Sequence, residues 1–173
     1  ILVKDMLSGQ ITIASSTSDG ALGDGDNPSF TADGRWVVFE STSSEFSARG
    51  RGLSDIYLKD FDTNELYPLS LAFDGGLANG DSAKPTISDN GRYVAFSSLA
   101  SNLVPNDTNG LKDDFMIDVT TGDVTRIFIA TDASDNLKSR NGTLSGDGRF
   151  YVFESRSSTL VPNDTNGVSD LFI

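Results

Sequence analysis

Apolar residues in this chain arrive in short bursts, each cut off by a polar break of Gly, Asp, Asn, Ser and Thr. Trp36-Val37-Val38-Phe39, Tyr93-Val94-Ala95-Phe96 and Tyr151-Val152-Phe153 are such bursts. They are built from the β-branched and aromatic side chains that suit a pleated, packed surface. No stretch carries the spacing of an amphipathic helix. The bursts are apolar on successive residues more than strictly alternating, which predicts strands covered on both faces. The pattern predicts an all-β chain of short strands and frequent turns.

The bursts also recur. Asp33-Gly34-Arg35-Trp36-Val37-Val38-Phe39 returns as Asn90-Gly91-Arg92-Tyr93-Val94-Ala95-Phe96 and again as Asp147-Gly148-Arg149-Phe150-Tyr151-Val152-Phe153, each 57 residues after the last. Asp55-Ile56-Tyr57-Leu58 is matched by Asp113-Asp114-Phe115-Met116 and Asp170-Leu171-Phe172-Ile173. Leu103 to Gly110 repeats unchanged as Leu160 to Gly167. Each period holds four strand signals; in the second they are Lys84–Ser88, Arg92–Ser97, Asp113–Val119 and Val124–Ile129. Asn90-Gly91 suits a tight hairpin turn of positive φ between the first two, and Thr121-Gly122-Asp123 links the last two.

Four antiparallel strands per repeat, with no helix, describe a β-propeller blade. A β-helix has much shorter repeats, and a sandwich does not repeat so closely. Residues 17–72 and 73–130 make two whole blades, residues 131–173 the first strands of a third, and residues 1–16 the last two strands of a blade, with Lys4-Asp5 aligned to Lys59-Asp60. About three blade equivalents are too few for a closed ring, which starts at about four. The expectation is a partial propeller, or a homo-oligomer in which two copies joined head to tail complete a six-bladed ring. Against the second, Leu171-Phe172-Ile173 and Ile1-Leu2-Val3 claim the same strand.

The Asp/Asn-Gly-Arg-aromatic-Val-x-Phe signature resembles the TolB-type PD40, or WD40-like, propeller repeats of bacterial secreted and surface proteins. The resemblance covers essentially the whole chain. It implies the propeller fold and a secreted, periplasmic or cell-surface location in a bacterium. For function it implies little, because propellers host many activities. A non-catalytic platform for a protein or glycan ligand is the expectation. The alternatives are an accessory propeller of a larger prolyl-oligopeptidase-like hydrolase, or a lectin.

Composition narrows the chemistry. The chain has 173 residues, with 13 Lys and Arg against 25 Asp and Glu, a net charge of −12. Such a surface repels phosphate backbones and anionic membrane faces, so no nucleic-acid partner is expected. No apolar run is long enough for a membrane-spanning helix, so no insertion is expected. There is no His and no Cys, which removes His-based triads, Cys nucleophiles, disulfides and ordinary zinc or haem sites. The sequence also lacks a G-x-S-x-G or S-x-x-K nucleophile motif and a phosphate-cradling Gly-rich loop. Carboxylate pairs abound, but nothing nominates one for glycoside hydrolysis. No catalytic residue is named, and an enzyme is not expected.

A metal, if bound, must be a hard cation held by oxygens. Asp107-Thr108-Asn109-Gly110-Leu111-Lys112-Asp113 and Asp164-Thr165-Asn166-Gly167-Val168-Ser169-Asp170 both read D-x-N-G-x-x-D. The spacing resembles the calcium loops of integrin α-subunit propellers. The resemblance implies calcium on Asp107, Asn109 and Asp113, and on Asp164, Asn166 and Asp170, although Pro105 and Pro162 stand at the first ligand position. The alternative is an Asx-turn with Gly in the left-handed conformation. The first blade has Arg49 and Arg51 where the others have ligands, a substitution compatible with either reading.

Other features carry weaker signals. The connections Asp19 to Asp26 and Asp74 to Asp81 are acidic enough for weak calcium binding, or are solvated links. Lys84 and Arg140 either line the central channel or lie on the surface. Arg35, Arg92 and Arg149 hold one place per blade, so they are expected to pair with an Asp or cover an aromatic ring. Trp36, Tyr93, Phe150 and the Phe39, Phe96, Phe153 set are expected in the inter-blade core. Phe46 and Phe73 are the aromatics expected to be exposed enough to stack on a sugar.

Overall fold

The computed structural model describes residues 1–46, 52–129, 142–156 and 160–173. Among these are thirteen strands: β1 (Leu2–Lys4), β2 (Ile11–Ile13), β3 (Asp26–Phe30), β4 (Trp36–Ser41), β5 (Asp55–Asp60), β6 (Leu66–Pro68), β7 (Ser82–Ile87), β8 (Tyr93–Ser98), β9 (Asp113–Asp118), β10 (Val124–Phe128), β11 (Thr143–Leu144), β12 (Tyr151–Ser155) and β13 (Asp170–Phe172). No helix occurs among the described residues. The strands form four antiparallel meanders in chain order: β1-β2, β3-β4-β5-β6, β7-β8-β9-β10 and β11-β12-β13. The two four-stranded sheets are whole blades, and the described strands do not close a ring. In the second blade the expected strands match the observed ones to within two residues.

Successive side chains of a strand point to opposite faces, so each central strand serves two cores. Val38, Ile56 and Leu58 face the second blade, where they pack with Ile87, Val94, Phe96, Phe115 and Ile117. Val37, Phe39 and Tyr57 face the other way, onto Ile1, Val3 and Ala14 of the β1-β2 pair. Every residue of β5 is buried, as the successive apolar residues predict. That burial includes Lys59, whose ammonium donates to the Ser16 carbonyl at 2.9 Å and the Asn64 carbonyl at 2.7 Å. Loss of water pushes its pKa below the usual lysine value.

The Asn90-Gly91 hairpin takes the expected positive φ at its glycine and not at Asn90. Gly34, Gly91 and Gly148 have φ of 73°, 72° and 73°. The preceding Asp or Asn works through its side chain instead. Asn90 Oδ1 accepts from the Ser88 hydroxyl at 2.7 Å and from the Arg92 N–H at 3.0 Å. Asp33 repeats this with Thr31 and Arg35, and Asp147 with Ser145 and Arg149. Either residue type serves because each offers the same oxygen.

The arginine after this glycine does both of the expected jobs. Arg35 pairs with buried Asp60 at 2.9 Å and lies 4.6 Å over the Trp36 ring. Arg92 pairs with Asp118 at 2.8 Å and lies 5.0 Å over Tyr93. Arg149 lies 4.9 Å over Phe150. Hydrogen bonds from the guanidinium groups hold the Asp60 and Asp118 carboxyls below the usual carboxylate range.

The covered ring then meets the next blade. A Cβ at Gly91 would lie 3.1 Å from Trp36 Cδ1, and one at Gly148 only 2.3 Å from Tyr93 Cδ2. Arginine, aromatic ring and neighbouring glycine thus stack at each of the two junctions. Phe150, expected in the inter-blade core, is instead 44% exposed, because no described blade lies beyond it. Phe39 and Phe96 are buried as expected.

The inner strands carry matching bulges. The register slips between Asp26 and Ser29 in β3 and between Ala83 and Thr86 in β7, with Asn27 and Lys84 at positive φ. The bulge frees the Lys84 N–H to donate to Glu40 Oε2 of the preceding blade at 2.5 Å. Lys84 is therefore half-buried at a junction. Arg140 lies outside the described residues.

Candidate functional site

The two D-x-N-G-x-x-D loops fold alike, because their sequences impose the same turn. Gly110 and Gly167 take φ of 64° and 65°, and Asn106 and Asn163 φ of 63° and 67°, conformations that Gly and Asn adopt most readily. Asn109 Oδ1 accepts from the Leu111 N–H at 3.0 Å, and its amide donates to both Asp113 oxygens at 3.1 Å. Asn166 does the same with Val168 at 3.0 Å and with Asp170 at 3.2 and 3.1 Å. The structure thus brings each Asn–Asp pair together in an Asx-turn closed by the first residue of the strand.

In the second blade a cation already occupies this place. Arg126, on β10, puts one guanidinium nitrogen 2.7 Å from Asp107 Oδ1 and 2.9 Å from Asp113 Oδ2. The Asp107 and Asp113 side chains are 3% and 0% exposed, and Arg126 supplies a positive charge to both. Calcium needs six to eight oxygens around one point, and here the guanidinium holds the point on which the two carboxylates converge. Asp107 and Asp113 therefore share one arginine in this arrangement. In the third blade Asp164 and Asp170 are half-buried, and among the described residues no basic side chain pairs with either. The first blade's Arg49 and Arg51 lie outside the described residues. Its strand residue Asp55 accepts from the Ser70 hydroxyl at 3.0 Å.

Sequence reasoning missed Arg126. The signal was there: an acid opens β5, β9 and β13 alike, and in the two whole blades it takes a donor from the side of the fourth strand. Ser70 follows β6 and Arg126 lies in β10, each supplying that donor in its own way.

The acidic connections are tied down by hydrogen bonds, most of them from residues distant in the chain. Asp24 accepts from the Ser41 and Thr42 hydroxyls and the Thr42 N–H. These bonds, the Ser41 hydroxyl foremost, lower its pKa. Asp81 accepts from the Ser54 N–H at 2.9 Å and Asp74 from the Gly76 N–H at 2.9 Å.

The expected stacking aromatics part company. Phe46 is packed against Phe39 and Tyr57, with ring centroids 6.1 and 5.4 Å away. Phe73 is 63% exposed. It stands on a groove of about 660 Å³ between the outer parts of the two whole blades, lined by Trp36, Tyr67, Phe73, Leu103, Pro105 and Val119 among others. Tyr67, also exposed, lies 6.5 Å from Trp36. The groove is apolar with two rings open to solvent, an arrangement that suits the C–H face of a sugar or an apolar side chain.

No protein-family profile and no curated protein matches this sequence. Solved structures do. TolB from Acinetobacter baumannii is 22% identical over 91% of this chain and 32% of its own, with a TM-score of 0.56. The β-propeller domain of the trilobed protease from Pyrococcus furiosus, which has an open velcro topology, is 10% identical over 99% of this chain and 47% of its own, at 0.55. The tricorn protease aligns over 98% of this chain and 14% of its own, at 15% identity and 0.52. The chain spans less than half the length of each. The class of fold these likenesses define is the β-propeller.

Proposed function

We propose that the chain is a non-catalytic β-propeller module, a rigid platform that binds a protein or glycan ligand. The observation that carries this reading is the groove beside Phe73 and Tyr67. Its floor is continuous with the inter-blade core, so ligand contact costs little ordering of the protein. By resemblance to TolB-type repeats, the module belongs to a secreted, periplasmic or cell-surface protein of a bacterium.

Trp36, the single tryptophan, lines the groove and reports on it. Titration with a panel of defined oligosaccharides, read by Trp36 fluorescence, should give a saturable change that Phe73→Ala removes. A flat response across the panel rejects the lectin form of the reading and leaves the protein ligand.

Calcium belongs to this proposal at the third-blade loop, where Asp164 and Asp170 would hold it with Asn166 and the turn carbonyls; it would order the loop. Calorimetric titration into chelator-stripped protein, with magnesium as control, should find one site of roughly 10⁻⁴–10⁻³ M that Asp164→Ala abolishes. Absence of heat makes both loops turns only.

The likeness to the tricorn and trilobed proteases favours a second reading, in which the module is the accessory propeller of a larger hydrolase. An α/β-hydrolase domain encoded in the same polypeptide would decide for it.

A further inference from the structure

The lining of the groove between the two whole blades is selective enough to name the chemistry of its ligand. We infer that it docks a protein segment in which a large apolar side chain stands next to a lysine or arginine. The inference rests on the platform reading above and narrows it. Among the described residues that line the groove, only Trp36, Tyr67 and Asp123 carry a polar side-chain atom. A sugar ring seated there would leave most of its hydroxyls against carbon, and each buried hydroxyl without a partner weakens binding. A leucine or phenylalanine side chain carries no such group and gains from every apolar contact.

An internal control shows that Phe73 is not there to build its own turn. Leu71 and Leu77 form an isolated bridge, the Ala72 N–H donates to the Gly76 carbonyl at 2.9 Å, and Gly75 takes a φ of 81°. The preceding connection repeats this turn: Ser16 bridges Leu22, the Thr17 N–H donates to the Ala21 carbonyl at 2.9 Å, and Gly20 takes a φ of 92°. In that turn the place of Phe73 is held by Ser18. The same backbone therefore forms with a polar residue, yet Phe73 stands 63% exposed on the groove. Its N–H donates to the Asn102 carbonyl at 2.9 Å, so the ring is presented on a fixed backbone and its contact with a ligand costs little ordering.

The rim supplies the sign of charge. Asp123 lines the groove and Asp74 follows Phe73, and both are exposed. Asp123 accepts from the Thr121 hydroxyl at 2.8 Å and Asp74 from the Gly76 N–H at 2.9 Å. Among the described residues no basic side chain pairs with either, and no Lys or Arg lines the groove. Arg35 lies over Trp36, but its charge is already matched by Asp60 at 2.9 Å and exposed Asp62 at 3.1 Å. The apolar floor is thus edged by unmatched negative charge on a chain of net charge −12. Such a field draws in a basic segment and turns away an acidic one.

A random-peptide phage library should be selected on the immobilised protein, with the Phe73→Ser variant as competitor in solution. That variant should keep wild-type circular dichroism, since Ser18 fills the same place in the equivalent turn. The enriched sequences should share a phenylalanine, tryptophan or leucine beside a lysine or arginine. As synthetic peptides they should change Trp36 fluorescence saturably, and Phe73→Ser should weaken them more than about tenfold. Asp74→Asn combined with Asp123→Asn keeps an acceptor oxygen in each turn and should weaken them about three- to tenfold, with a smaller salt dependence. Peptides that need Phe73 but carry no basic residue, or that ignore the two Asn substitutions, overturn the inference and leave the platform reading standing. Peptides that the Phe73→Ser variant binds equally well overturn it too. So does an empty selection: a saturable oligosaccharide titration would then make the platform a lectin, and a flat one would remove the groove reading itself.

Discussion

Replacing Arg126 by glutamine removes one positive charge and strands two negative ones. The side chains of Asp107 and Asp113 are 3% and 0% exposed and approach the same guanidinium nitrogen at 2.7 and 2.9 Å, while that of Arg126 is itself only 19% exposed. This is the geometry in which removing one partner is expensive. Breaking a buried ion pair costs about 3–5 kcal/mol, because the remaining charge is left unsolvated. Here two remain, close enough to repel. For a chain of this size each 1 kcal/mol moves Tm by about 2–4 °C, so the variant should melt about 10 °C below wild type. Urea unfolding at neutral pH should show the loss as a lower midpoint with an unchanged slope. The loss should shrink on adding calcium, which the variant's loop could then accept. A loss under about 1 kcal/mol, the range of exposed pairs, would refute the argument that the guanidinium stands where a cation would.

Phe96 is 1% exposed, lies in the core between the two whole blades and stacks on Phe115 at 6.0 Å. Phe96→Ala should therefore cost about 3–5 kcal/mol in urea unfolding, and a cost below 1 kcal/mol would mean the blades do not pack as described. The Asp60 and Asp118 carboxyls are held below their ordinary value of 3.8, first by hydrogen bonds from Arg35 and Arg92. A lowered folded-state pKa gives stability that is complete above the ordinary carboxylate value and is lost as pH falls through the folded one. Wild-type Tm should thus fall steeply below about pH 4, and Asp60→Asn should start lower at neutral pH and fall less; parallel curves would contradict the pairing.

The Arg–aromatic–Gly stack ties these observations to function. A propeller offers a ligand a surface whose parts are spaced by the blade repeat, and that spacing holds only if each blade is keyed to the next. Trp36 serves in both roles, lying on Gly91 of the second blade and lining the groove. Damage at this junction should therefore appear in groove fluorescence as well as in stability.

The repeat, the four-stranded blade and the strand limits were legible because they are local. The 57-residue period, the apolar bursts and the turn residues need only neighbouring sequence to act, and the pairing of Arg35 and Arg92 with an Asp and a ring followed from their fixed place. Even the error about Asn90-Gly91 was small, since glycine does take the left-handed turn while Asn90 contributes its side chain. Partners distant in the chain were decided by the tertiary structure. Phe46 is packed because Phe39 and Tyr57 reach it, and Phe73 is open because a groove lies beside it. Phe150 and Phe30 are exposed although their counterparts are covered. Their burial depends on which blade stands next, which no burst of residues encodes. Asp107 and Asp113 look like calcium ligands when the loop is read alone. They hold an arginine because β10 pairs with β9 in the register that brings Arg126 over the loop, and two buried carboxylates take the nearest fixed positive charge.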